Sequence, residues 1–106
     1  MSFPLEVDVA SAARLVAAGT ALIDIREPAE TAVCQIAGSQ LIPIAQIPGC
    51  LATLPKDRQL LILCHHGGRS ARVTQFLRAH GWNNATNVAG GIDAWAREVD
   101  PTMRRY

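Results

Sequence analysis

Net charge is what this sequence has least of. Ten Lys and Arg against nine Asp and Glu leave a formal charge of +1 over 106 residues. A chain that holds nucleic acid through bulk electrostatics carries a basic excess, so the balance argues against a nucleic-acid partner while leaving room for a small local anion site. The Arg104-Arg105 pair is too short to serve as a basic tail. No apolar run approaches the roughly 20 residues needed to span a bilayer. Residues 1–8 have neither the basic start nor the long apolar stretch of a signal peptide. A cytoplasmic chain with no membrane partner is the resulting expectation. Cysteine is scarce: Cys34, Cys50 and Cys64 form no CxxC pair. An odd count outside a secreted setting points to free thiols, and without a second Cys/His cluster nothing completes a closed zinc site. Neither a metal nor another cofactor is expected. Repeats, low-complexity tracts and internal linkers are also missing, and the length suits one small domain spanning residues 1–106.

What is present is an alternation of short apolar runs with helical patterns, the signature of an α/β domain built on a mainly parallel sheet. Leu5–Val7 reads as a short strand. Asp8 then caps a helix through about Ala18, stopped by Gly19. Ala21–Ile25 reads as a buried strand, and Pro28 opens a helix running to about Cys34. Gln40–Ile42 is a weak strand pattern. Ile44–Leu54 is helical over part of its length, with Pro48-Gly49 interrupting it. Gln59–Leu63 is continuously apolar, as suits a strand covered on both faces. Ser70–His80 places Val73, Phe76, Leu77 and His80 at helical spacing, with Gly81 as the stop. Thr86–Val88 is a last short strand, and Gly90-Gly91 leads into a helix from Ile92 to about Glu98, before Pro101. Trp95 shares a helical face with Ile92 and is expected in the core, whereas the pattern leaves Trp82 unplaced.

The chemistry concentrates where the strongest strand ends. Leu60 to Arg78 reads as buried strand, glycine-bearing loop and amphipathic helix, with Cys64-His65-His66-Gly67-Gly68-Arg69 as the loop. In a parallel α/β sheet, ligands bind at the carboxyl ends of the strands. Gly67 and Gly68 let the backbone curl so that several N–H groups aim inward as a nest, and the following helix points its positive end at the same spot. Arg69 adds a permanent cation with a planar fork of donors. All of these favour thiolate over thiol at Cys64. Ser70 has the chemistry to cap the helix through its hydroxyl. His65 and His66 have the chemistry to move a proton or bind an anion, although neighbouring side chains diverge and the two are not expected to reach one point. Cys34 and Cys50, each within an expected helix, read as small buried hydrophobes.

These residues resemble the rhodanese-like superfamily. The family pattern of Cys, four residues, Arg, then Ser or Thr stands here as Cys64-His65-His66-Gly67-Gly68-Arg69-Ser70. Leu22-Ile23-Asp24-Ile25-Arg26-Glu27-Pro28-Ala29-Glu30 is similar to the family's LIDVREPxE segment. Ala37-Gly38-Ser39-Gln40-Leu41-Ile42-Pro43 is similar to IPGAxxIP, and Val88 to Trp95 to the LxGGxxAW ending. One departure is Cys34-Gln35, where the family often has Gly-His. The resemblance implies a small five-stranded parallel sheet flanked by helices on both faces. It implies sulfane-sulfur transfer in which the Cys64 thiolate takes sulfur from a small anionic donor such as thiosulfate, holds it as a persulfide, and yields it to cyanide or a thiol. His65, His66, Gly67, Gly68, Arg69 and Ser70 would bind the donor and the persulfide, and Asp24 and Arg26 would serve a structural role. Cys34 acquires a further reading as a second thiol that resolves the persulfide.

Two other classes compete. Phosphatase and arsenate-reductase relatives of the fold use five residues between Cys and Arg; the four here make a smaller cup, better suited to sulfur than to a tetrahedral oxyanion. Rhodanese-like domains also serve as binding modules. With Cys64 present, the alternative takes the form of a persulfide carrier docking to a sulfur-relay protein, such as a desulfurase or an enzyme of molybdopterin, thiamine or tRNA thiolation.

Overall fold

The computed structural model describes residues 2–106. Five strands, β1 (Glu6–Val7), β2 (Ala21–Asp24), β3 (Gln40–Leu41), β4 (Leu60–Leu63) and β5 (Ala85–Val88), form one sheet in the order β1-β5-β4-β2-β3. Every pairing is parallel. The connections carry the helices α1 (Val9–Ala17), α2 (Pro28–Thr31) and α3 (Gly68–Ala79), and α4 (Gly91–Glu98) follows the last strand, giving the five-stranded α/β architecture expected above.

The central strand explains the layering. All four residues of β4 are buried, and period-two alternation sends them to opposite faces. Leu60 and Ile62 join Val73 and Leu77 of α3, together with Ile47 and Leu54. Leu61 and Leu63 join Val9 and Ala12 of α1 and Ile92 and Trp95 of α4. Full burial of one such side chain contributes about 1.5–3 kcal/mol, so this strand anchors both layers at once. Cys64, the next residue, continues the alternation onto the α3 face. Both tryptophans are core residues: Trp95 packs under α4, and Trp82 donates its indole N–H to the Leu54 carbonyl at 3.0 Å.

Local signals set the first helix as expected. The Asp8 carboxylate accepts the Ser11 N–H at 2.8 Å, and Gly19 follows the helix at φ +100°. Three other elements differ from expectation. The stretch Ile44–Leu54 forms two 3-10 turns, Ile44–Gln46 and Pro48–Thr53. Pro48, which has no N–H to give, sits at the start of the second. Helix α2 stops at Thr31 and does not reach Cys34. The cause is Arg26, whose Nη1 and Nη2 donate to the Glu30 and Cys34 carbonyls at 3.3 and 2.8 Å, drawing off groups that a longer helix would use. Cys34 therefore lies in irregular chain, not in a helix. Helix α3 begins at Gly68, two residues earlier than the side-chain pattern indicated, so Gly68 and Arg69 belong to its first turn.

Register brings three connections to one edge of the sheet. Asp24 pairs with Leu63, and Ile62 with Asn87. The chain leaving β4 is thus flanked by the chain leaving β2 and the chain leaving β5. Among the described residues, no helix is long and apolar enough to cross a membrane.

Candidate active site

Cys64 leaves the carboxyl end of β4 with its side chain turned under the first turn of α3. Its Sγ accepts hydrogen bonds from the Gly67 N–H at 3.1 Å, the Ser70 N–H at 3.4 Å and the Ser70 hydroxyl at 3.2 Å. Gly67 permits this curl because its φ of +98° lies in the left-handed region that side chains disfavour. The loop carbonyls point the other way. The Cys64 and His65 oxygens accept from the Ile92 and Asp93 N–H groups at 2.9 and 3.0 Å. The α4 N-terminus thereby uses its free donors on the outside of the loop, and the loop is left with its own donors facing in.

Gly91 makes that docking possible. A Cβ built there would sit 2.6 Å from the Cys64 carbonyl oxygen and against the His65 carbonyl as well. The Gly-Gly pair before α4 is therefore part of the site, although it lies in a different segment of the chain. Asn87, on β5, holds the loop from below: its Nδ2 donates to the Gly67 carbonyl at 3.3 Å and to Glu6 Oε2 at 2.9 Å.

Burial pushes the Cys64 thiol up, but the bonds from Ser70, Gly67 and the His66 N–H outweigh it, and the net direction is downward. A thiol whose folded pKa lies below its unfolded value adds stability above the unfolded value and loses it as pH falls through the folded one. Reactivity follows the same curve, since the thiolate is the nucleophile. Ser70→Ala removes the hydroxyl donor and is expected to slow alkylation of Cys64 by iodoacetamide about tenfold at pH 7, the worth of one charge-assisted hydrogen bond. At a pH well above the thiol range the variant and wild-type rates should converge. A uniform loss at every pH would indicate a misplaced sulfur instead. Ser70 is thus not the cap of α3: that position is Gly67, and both polar groups of Ser70 are aimed at the sulfur.

Arg69, expected as a permanent cation beside the loop, is paired. Its Nη1 and Nη2 donate to Glu30 Oε2 and Oε1 at 2.9 and 2.8 Å, a bidentate pair. Glu30 also takes the Glu27 N–H at 3.0 Å. The Arg69 guanidinium holds the Glu30 carboxyl down at about 2, despite some burial, so the pair is ionised at neutral pH and its charges cancel. The donors left facing the Cys64 sulfur are the Gly67 N–H, the Ser70 N–H and the Ser70 hydroxyl, beside the positive end of α3.

The two histidines, expected to diverge, come together: their ring centroids are 3.9 Å apart. Burial and the neighbouring His66 keep the His65 pKa below its ordinary value. A neutral His65 must protonate Nε2 to bond the Tyr106 main-chain oxygen at 3.1 Å, leaving Nδ1 as an acceptor. His65, His66 and Asp93 each place one possible metal-ligand atom within 4.8 Å of the others. The Asp93 oxygens are already engaged, by Arg97 at 3.2 Å and Arg105 at 3.1 Å.

Below the site, Arg26 and Asp24 form a buried fork, with Nε to Oδ1 at 3.0 Å and Nη2 to Oδ2 at 2.7 Å. Arg26 Nη1 also donates to the Tyr106 hydroxyl at 3.0 Å. Cys34 packs into the cluster on the α1 and α4 side of the sheet, whereas Cys64 packs on the α3 side. This separation argues against Cys34 as the resolving thiol. Cys50 lies in the second 3-10 turn, with its thiol toward the Ile47 carbonyl at 3.5 Å. The sequence reading missed Glu30, Asn87 and Tyr106. The Glu27–Glu30 spacing of a helix start was a usable signal for the first; the other two carry none.

The rhodanese-like domain family model matches residues 8–98. A sulfurtransferase of Allochromatium vinosum is 39% identical over 82 residues, covering 77% of this chain and 77% of that protein. The probable adenylyltransferase/sulfurtransferase MoeZ of Mycobacterium tuberculosis is 41% identical over 88 residues, or 81% of this chain. The chain spans only 22% of MoeZ's length. The crystal structure of a rhodanese-related protein from Thermoplasma volcanium aligns with a TM-score of 0.82 at 32% identity, covering 92% of this chain and 94% of that one.

Proposed function

This chain belongs to the rhodanese-like domain family, whose matching relatives include sulfurtransferases, and from that premise we propose that it moves a sulfane sulfur through a persulfide on Cys64. The observation that carries the reading is the Cys64 sulfur itself, set at the end of the central strand and accepting from the Gly67 N–H, the Ser70 N–H and the Ser70 hydroxyl.

The reaction runs in two displacements. The Cys64 thiolate attacks the outer sulfur of thiosulfate, forming a new S–S bond. The bond between that sulfur and the sulfonate sulfur breaks, and sulfite leaves with the electron pair. The persulfide left on Cys64 is again an anion. Cyanide or a thiolate then attacks its terminal sulfur, and the Cys64 thiolate departs in its original state. Inward N–H groups of the loop and the first turn of α3 would stabilise negative charge in both steps. Gly67 and Gly68 shape that cup, and Ser70 holds the resting thiolate. Arg69, neutralised by Glu30, would hold the loop in place and contribute little net field. His65 and His66 would line the entrance.

Intact mass after incubation with thiosulfate tests the reading. Wild type is expected to gain one sulfur atom, removable by cyanide, and Cys64→Ser to gain none. A gain that survives in Cys64→Ser would sink it. The likeness to MoeZ, whose name joins adenylyl transfer to sulfur transfer, favours a second reading in which the chain carries persulfide sulfur to a relay partner. A carrier loads with sulfur yet turns over thiosulfate poorly, so steady-state rates separate the two.

A further inference from the structure

Tyr106 lies beyond the matched stretch of residues 8–98, yet it sits on the Cys64 loop. Its ring stacks on His65, with centroids 3.8 Å apart and planes within 9° of parallel. Its main-chain oxygen takes the His65 Nε2 proton at 3.1 Å. The hydroxyl reaches the opposite side, donating to Glu30 Oε1 at 2.9 Å and accepting from Arg26 Nη1 at 3.0 Å. Glu30 Oε1 is the same oxygen that binds Arg69 Nη2. Burial and the Glu30 carboxylate outweigh the pull of Arg26 and raise the phenol's pKa, which keeps the donor proton in place.

His65 directly follows Cys64, and Arg69 closes the loop. Tyr106 and Glu30 therefore join the two ends of the loop to each other. The neighbouring Arg105 is tied to Asp93 of α4 at 3.1 Å. Tyr106 is 41% exposed, while Cys64, the residue just before the stacked His65, is 1% exposed. The contacts to His65 and Glu30 are solvent-facing, a kind that breaks at little cost, and the Arg26 bond is part-buried.

We propose that Tyr106 is a specificity-determining residue: it roofs the Cys64 loop, so that small linear reactants reach the sulfur past it and bulky thiols reach it only when the ring lifts. The role of such a roof in sulfur transfer rests on the reading of Cys64 as the sulfur carrier. The access it controls is measurable without that chemistry, by alkylation.

The experiment compares wild type, Y106A and Y106F at pH 7 and pH 9, following the Cys64 peptide by mass after iodoacetamide or a maleimide carrying a polyethylene glycol chain. Y106A is expected to accelerate the bulky reagent about tenfold relative to iodoacetamide at both pH values. Y106F keeps the stack and loses both hydroxyl bonds, so it should accelerate the bulky reagent about threefold, and it carries the test alone if Y106A loses its fold. In sulfur transfer, Y106A should raise kcat/KM for glutathione as acceptor more than for cyanide. Equal acceleration of both reagents, or an effect confined to pH 7, would mean that Tyr106 acts through thiolate acidity and would overturn the proposal. Unchanged rates with both reagents would overturn it too. Size-selective alkylation with no thiosulfate-derived mass gain on Cys64 in any variant would support the roof and sink the sulfur-transfer reading.

Discussion

Gly91→Ala is expected to lower thiosulfate-to-cyanide transfer by about two orders of magnitude, on the scale of losing preorganised anion donors. It should also cost the fold about 2–4 kcal/mol, adding left-handed strain to overpacking. Gly91 has φ +60°, and its missing Cβ leaves space filled by the Cys64 and His65 carbonyl groups. These are main-chain atoms of the loop, so no flexible side chain can move aside. The loop must retreat from α4, the Cys64 and His65 oxygens lose the Ile92 and Asp93 N–H groups, and the inward donors lose their aim. Gly38→Ala is the control. Gly38 also has positive φ, +84°, but a Cβ there meets nothing within 4 Å. It should cost about 1–2 kcal/mol of strain and leave the rate intact. Urea melts and kcat/KM for both variants check the pair. Near-normal transfer by a folded Gly91→Ala would show that the loop is not held by α4.

The other large effect lies beneath the site. Asp24→Ala should destabilise the fold by about 3–5 kcal/mol, because it strands the Arg26 charge in the interior. Arg26 and Asp24 side chains are both fully buried, and the carboxylate takes the Arg26 Nε, Nη2 and backbone N–H. Burial by itself disfavours the Arg26 charge, and the bonds to Asp24 and Tyr106 reverse that. Removing both charges together, as in Asp24→Leu with Arg26→Met, should cost less than Asp24→Ala, since no unpaired ion remains. Denaturation midpoints decide it. A loss under about 1 kcal/mol for Asp24→Ala, the range of exposed pairs, would mean that water reaches Arg26 when its partner goes.

Much of this was legible in the chain because it is written in near neighbours. The alternation of apolar runs with helical spacing produced the α/β class. The apolar run ending at Leu63, followed by two glycines and a basic residue, marks Cys64 as the candidate site. Asp8 and Gly19 bracketed α1 through contacts within a turn. Errors arose where a distant group intervened. The expected end of α2 failed because Arg26 captured its carbonyls. Helix α3 starts ahead of its side-chain pattern: glycines lower helix propensity, yet here Gly67 supplies the left-handed turn that launches the helix.

By itself the sequence determined the layer architecture, the position of Cys64 and the loop that curls over it, since periodicity, turn residues and helix starts act within a few residues. Only the tertiary structure decided how the site is charged and covered. Arg69 meets Glu30 across 39 residues, His65 meets the Tyr106 main chain across 41, and Tyr106 meets Glu30 across 76. No local pattern encodes those partners. They follow from parallel register, which sets the ends of β2, β4 and β5 side by side and lets a carboxylate from one connection cancel the cation of the next.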